Sequence, residues 1–93
     1  MIVEAFAEFL GTFIFLYIIL QQGQPIPIAV GLLAAIYAFG SISGGHFNPA
    51  VSIMMGAKGS VSPQKAVVYI VAQILGGLSA LLLYQYTKNK GNK

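Results

Sequence analysis

The sequence predicts an all-α membrane protein with three transmembrane helices and one re-entrant half-helix. Three observations predict it. Hydrophobic residues make up 57% of the 93 residues and charged residues 8%, against roughly 25% charged in a soluble domain. Three apolar runs, at about residues 2–20, 26–43 and 66–84, each approach the roughly 20 residues that cross a hydrocarbon core. Between the second and third runs lies Gly44-Gly45-His46-Phe47-Asn48-Pro49, a helix start where a chain leaving the membrane should have finished its span.

The first run carries Glu4 and Glu8 and has no Lys or Arg before Lys58, which argues against a cleaved signal peptide with its basic leading segment. The second run is entered through Pro25 and Pro27 and interrupted by Gly31 and Gly40, so its hydropathy is the least decisive. Residues 21–27 and 57–63 form short polar turns, and Ser62 followed by Pro63 fits an N-cap and first-turn proline opening the third span. The tail, residues 85–93, is polar and basic and is expected to fray. With no cysteine in the chain, disulfides and thiolate metal sites gain no support. The whole of 1–93 therefore reads as a single membrane domain.

Gly44 and Gly45 free the backbone, His46 and Phe47 follow in an extended segment too irregular for a helix, and Asn48 and Pro49 are a good N-cap and first residue for a new one. Running to about residue 57, that helix rises about 15 Å, half of a core roughly 30 Å thick. The segment 44–57 is thus a re-entrant loop and half-helix. A surface turn with an N-cap is the plain alternative, but apolar spans flank the segment and Ala50-Val51-Ser52-Ile53-Met54-Met55 follows it, which favours burial. Irregular backbone at membrane depth is tolerated only when packed in protein or lining a wet cavity.

Three pieces of the chain, in order, resemble the first half of an aquaporin or glycerol facilitator of the major intrinsic protein family. Ala7-Glu8-Phe9-Leu10-Gly11-Thr12 resembles the start of that family's first helix, residues 43–52 its first Asn-Pro-Ala signature loop, and Ala72-Gln73 with Gly76 its third helix. Family members are two inverted halves in one polypeptide, with six spans and two such loops; this chain holds one half. The resemblance implies a passive channel for water and small neutral solutes, with no enzymatic activity, catalytic residue, cofactor or metal.

It also implies roles for particular residues. Glu8, too costly to face lipid, accepts hydrogen bonds from backbone amides of the loop, with Gln73 helping from the third helix. Asn48 donates to the oxygen of a passing solute at the tip of Asn48-Pro49-Ala50, while the carbonyls of Gly44, Gly45 and His46 accept its hydrogens. The positive end of the half-helix dipole repels cations. His46 reads as a pore-lining or loop-bracing residue; one His and one buried carboxylate fall short of a metal ligand set. Two positions depart from the family. Val51 stands where the second signature loop carries an Arg, and Ile28 stands roughly where an aromatic filter residue is expected. Both leave room for glycerol or another neutral solute with weak water selectivity, or for an apolar solute or gas pathway.

One half cannot enclose a pore, because its half-helix leaves the rest of the membrane unspanned. The simplest partner is a second copy inserted upside down, an antiparallel homodimer, which could assemble further into a tetramer of pores. Lys58 and Lys65 share one side of the membrane and Lys88, Lys90 and Lys93 the other, a balance compatible with dual topology. Small residues offer packing faces: Ala72, Gly76 and Ala80 on the third span, Ala7 and Gly11 on the first, Gly31 and Ala35 on the second. Two alternatives stay open: a conventional orientation with a different half as partner, and a non-conducting subunit that associates with a full-length channel. Glu4 is placed at the interface, Tyr84 and Tyr86 in the interfacial aromatic belt, and Phe13, Phe15, Tyr17, Tyr37, Phe39 and Tyr69 in core or lipid contacts. The net charge of +3 comes mostly from the tail. It suits anionic lipid headgroups and gives no reason to invoke nucleic acid.

Overall fold

A computed structural model describes residues 1–91. Four helices follow one another: α1 (Ile2–Gln22), α2 (Pro25–Ser43), α3 (Pro49–Lys58) and α4 (Pro63–Gly91). Three of them, α1, α2 and α4, are long and apolar enough to cross a membrane, so the chain is a multi-pass integral membrane protein. Its short third helix is the half-helix.

Local chemistry sets the ends. α1 stops where Gly23 adopts a left-handed conformation with φ 63° and donates its N–H to the Ile19 carbonyl, a C-cap that glycine enters without a Cβ penalty. α2 begins at Pro25, whose missing N–H would be unpaired there in any case. Asn48 caps α3 by accepting the Ala50 N–H at 2.8 Å, and Lys58 in the last turn faces the negative end of the helix dipole. Ser62 accepts the Lys65 N–H at 3.1 Å at the start of α4.

Within the tail, the helix of α4 continues as far as Gly91. No proline interrupts residues 85–91, and the Thr87 hydroxyl lies 3.5 Å from the Tyr17 hydroxyl, tying this turn back to α1. Lys88 Nζ sits 5.6 Å from the centre of the Tyr84 ring. Lys93 lies outside the described residues, as does the side chain of Lys90.

α1 is the central helix: it packs against both α2 and α4, while α3 packs against α4. Small residues set the closeness. A Cβ on Gly31 would sit 2.6 Å from Ile18 Cδ1, and one on Gly76 would sit 2.7 Å from the Phe9 carbonyl oxygen. Ala72 and Ala80 are buried beside Gly76 on the same stripe of α4. Gly11, by contrast, receives the loop: a Cβ there would overlap the Phe47 ring. Along α1, Phe6, Phe9, Phe13 and Tyr17 stack in sequence with centroids 6.3, 6.4 and 6.2 Å apart.

The polarity is that of a protein dissolved in lipid. Ile2, Val30, Leu33, Tyr37, Leu78 and Leu82 are exposed, whereas Glu8, Thr12, Ser43, Ser52 and Gln73 are buried. Where the solvent is hydrocarbon, polar groups must find partners inside the chain. Substituting Gly76 by Ala is expected to weaken α1–α4 packing by about 1–3 kcal/mol, read as a lower unfolding midpoint in detergent. Gly40→Ala, whose Cβ meets Ile36 at an ordinary 3.4 Å, should leave the midpoint unchanged.

Candidate functional site: a braced re-entrant loop

The loop between α2 and α3 turns on four residues, Gly44 to Phe47. It is not the uniformly extended segment expected from the sequence: Gly44, Gly45 and Phe47 have φ of 93°, 67° and 52°. Glycine reaches this left-handed region freely, whereas for a phenylalanine it costs about 1–2 kcal/mol. Phe47 is held there by its ring in the Gly11 slot and by its N–H, which donates to Glu8 Oε1 at 2.8 Å.

The positive φ values aim successive amides the same way. Gly45 N–H donates to Ser43 Oγ at 3.2 Å, His46 N–H to Glu8 Oε2 at 3.1 Å, and Phe47 N–H to Glu8 Oε1. In a trans peptide the N–H and the preceding C=O point in opposite directions, and no cis bond is present among the described residues. The carbonyls of Gly44, Gly45 and His46 therefore turn away from Ser43 Oγ and the Glu8 carboxylate. Gly44, Asn48 and Ala50 are exposed, and Pro49 and Val51 are half-buried.

Glu8 is fully buried, yet four donors converge on its carboxylate. Besides the two loop amides, Ser43 Oγ donates at 2.6 Å and Gln73 Nε2 at 2.8 Å. The second hydrogen of Gln73 Nε2 goes to Ser52 Oγ at 2.8 Å, and Ser52 Oγ is also 2.8 Å from His46 Nδ1. This direction of the amide is forced: turned over, its oxygen would face the carboxylate. Tyr69 closes the cluster, donating its hydroxyl to the Ser43 carbonyl at 2.7 Å and presenting its ring edge-on to His46 at 5.0 Å. At the membrane face Lys65 Nζ lies 3.8 Å from Glu4 and 5.6 Å from the centre of the Tyr69 ring.

The structure thus brings together Glu8, Gln73, His46, Gly44, Gly45, Asn48, Pro49 and Ala50. Ile28 is not among them. It lies in the first turn of α2, separated from Ser43 by most of that helix. Sequence reasoning passed over Ser43, Ser52 and Tyr69 as partners of the loop. The available signal was spacing: Tyr69 and Gln73 are four apart on α4, and Asn48 and Ser52 are four apart across the start of α3, so each pair shares a helix face.

Glu8→Gln keeps the shape but sets a donor amide against donors, and each lost charge-assisted bond is worth about 1.5–3 kcal/mol. Accelerated hydrogen exchange at the His46 and Phe47 amides is the expected outcome, with a lowered unfolding midpoint. Ser43→Ala should produce a smaller change in both.

Comparison with known proteins agrees with this geometry. The sequence profile of the major intrinsic protein family matches residues 1–93. The chain is 41% identical over 83 residues to glycerol uptake facilitator protein-like 6 of Lactiplantibacillus plantarum, covering 80% of this chain and 38% of the relative. It is 39% identical over 94 residues to aquaporin Z of Photorhabdus laumondii, covering 84% and 41%, and 37% identical over 94 residues to aquaporin-5 of Sus scrofa, covering 85% and 35%. No solved structure gives a significant match. The chain thus spans well under half the length of these curated relatives, and over that length it belongs to the major intrinsic protein family.

Proposed function

We propose that this chain forms half of a passive transmembrane channel for water and small neutral solutes, completed by a second copy inserted in the opposite orientation. The observation that carries the reading is the amide bracing of the loop. With the N–H groups of Gly45, His46 and Phe47 tied to Ser43 and Glu8, the carbonyls of Gly44, Gly45 and His46 form a row of acceptors on the open side. Asn48 stands at the end of that row, its Oδ1 engaged in capping α3 and its amide hydrogens available to a solute.

Such a site favours neutral molecules. A solute oxygen accepts from Asn48 while its hydrogens meet the carbonyls, so its lost hydration is replaced in single file. The N-terminal end of α3 carries a partial positive charge and disfavours cations. Two half-helices meeting tip to tip at mid-depth double that barrier, and an inverted pair supplies the span that one half lacks. Nothing in this mechanism breaks a covalent bond, so the reading is of a channel and not an enzyme.

Val51 supports a wider solute range. The resemblance places an Arg in the second signature loop at the corresponding position, and a homodimer carries Val51 twice instead. Together with the glycerol uptake facilitator among the relatives, this favours passage of glycerol-sized neutral solutes beside water.

The test is stopped-flow shrinkage of proteoliposomes holding the purified chain alone, first under an impermeant osmolyte and then under glycerol. Shrinkage faster than in empty liposomes is expected, and it should be lost in Asn48→Asp. Aspartate is an equally good N-cap, so the half-helix persists while the solute-facing donor becomes an anion. Shrinkage at the rate of empty liposomes would instead favour a non-conducting subunit or a different half as partner.

A further inference from the structure

The polar chain that starts at Glu8 has a direction, which can be followed hydrogen by hydrogen. Glu8 accepts a backbone N–H on each carboxylate oxygen, so Gln73 meets it with its amide nitrogen and gives one hydrogen to Oε1. The second hydrogen of that nitrogen goes to Ser52 Oγ at 2.8 Å. Ser52 is fully buried, and its own hydroxyl hydrogen must find an acceptor inside the chain.

One acceptor is in reach. Among the described residues Ser52 Oγ has two hydrogen-bond contacts, Gln73 Nε2 and His46 Nδ1, each at 2.8 Å. It accepts from the first, so its hydrogen is left for the second. A hydrogen on Nδ1 would point at that hydroxyl and strand the serine hydrogen without an acceptor. Nδ1 is therefore the bare nitrogen of a neutral imidazole, and the ring hydrogen sits on Nε2.

Nε2 points elsewhere. It has no hydrogen-bond partner among the described residues, and it is not one of the enclosed polar atoms without one, which are Thr12 Oγ1 and Gln73 Oε1. It thus reaches the surface of the chain. A Cβ on Gly44 would lie 3.7 Å from it, and Gly44 is exposed, which places Nε2 beside the loop backbone.

We propose that Ser52 is a positioning residue that holds the hydrogen of His46 on Nε2, so that the chain's one histidine offers a donor beside Gly44 and keeps its basic nitrogen turned inward. The order originates at the Glu8 charge and passes through two neutral side chains, Gln73 and Ser52. A solute oxygen beside Gly44 then meets an N–H. In this form Nε2 has no lone pair with which to take a proton from that solute. Contact with a solute rests on the channel reading above, whereas the position of the hydrogen does not.

A single histidine makes ring labelling unambiguous. The full chain is prepared in lipid bilayers with isotope-labelled histidine in mildly alkaline buffer, and magic-angle-spinning NMR reads which ring nitrogen carries the hydrogen. A free neutral imidazole exchanges between both forms, so the expected result is one form alone, with hydrogen on Nε2 and Nδ1 accepting a hydrogen bond. Ser52→Ala should give a mixture, and Ser52→Thr, which keeps the hydroxyl, should restore the single form. Gln73→Met, which frees Ser52 to accept from the ring, should also give a mixture and serves if Ser52→Ala does not fold. Hydrogen on Nδ1 in the native chain overturns the proposal, as does the same single form in both Ser52→Ala and Gln73→Met. Magnetisation transferred from water should reach the Nε2 hydrogen; a shielded Nε2 would leave the role of Ser52 standing and overturn the solute contact. The expected spectrum in a chain that does not speed liposome shrinkage would remove the channel reading and leave the hydrogen on Nε2.

Discussion

The hydrogen bonds received by Glu8 are the interaction on which the rest of the structure depends. A carboxylate in the middle of an apolar helix is tolerable only if fully satisfied, and this one is satisfied by groups from three other segments. Ser43 ends α2, the amides of His46 and Phe47 belong to the loop, and Gln73 comes from α4. One side chain therefore fixes where α2 stops, how the loop turns and how α4 sits beside α1. Truncating it would leave several buried donors unpaired at once, which is why the arrangement acts as a unit and not as a set of independent bonds.

Close packing around that centre follows from two glycines on different helices. Gly11 leaves room for the Phe47 ring, so the loop can approach α1 closely enough for its amides to reach Glu8. Gly76 brings α4 against the α1 backbone, which puts Gln73 within reach of the same carboxylate. In hydrocarbon there is no hydrophobic force between helices, and small residues that permit close contact take its place. The same absence of water explains the inverted polarity, with Thr12, Ser43, Ser52 and Gln73 inside and Val30, Leu33 and Tyr37 outside.

The loop itself turns a general property of the peptide unit into a directional one. Tying consecutive N–H groups to one side sends the intervening carbonyls to the other, so a brace on the protein side arranges acceptors on the open side. Ser52 and Tyr69 extend the brace to His46 and to the carbonyl that ends α2. Asn48 then joins the loop to α3 by accepting the Ala50 N–H in its first turn.

Much of this was legible in the residues. Apolar run length announced the spans, Asn48-Pro49 announced the half-helix, and the expense of a charge in lipid drew attention to Glu8. These are local rules, set by hydrocarbon thickness, capping chemistry and ion solvation. Ser43, Ser52 and Tyr69 were not legible as partners, because a serine or tyrosine in a membrane helix has several cheap ways to be satisfied and only the packed neighbours choose among them. The left-handed turn at Phe47 was hidden for a similar reason: its own preference opposes it, and the Gly11 slot and the Glu8 bond decide. The sequence by itself thus determined the solvent, the number of spans and the start of the half-helix, each dictated by short-range chemistry. Which polar groups meet and which way the loop amides face were decided only by the tertiary structure, because those outcomes depend on groups up to 70 residues apart in the chain.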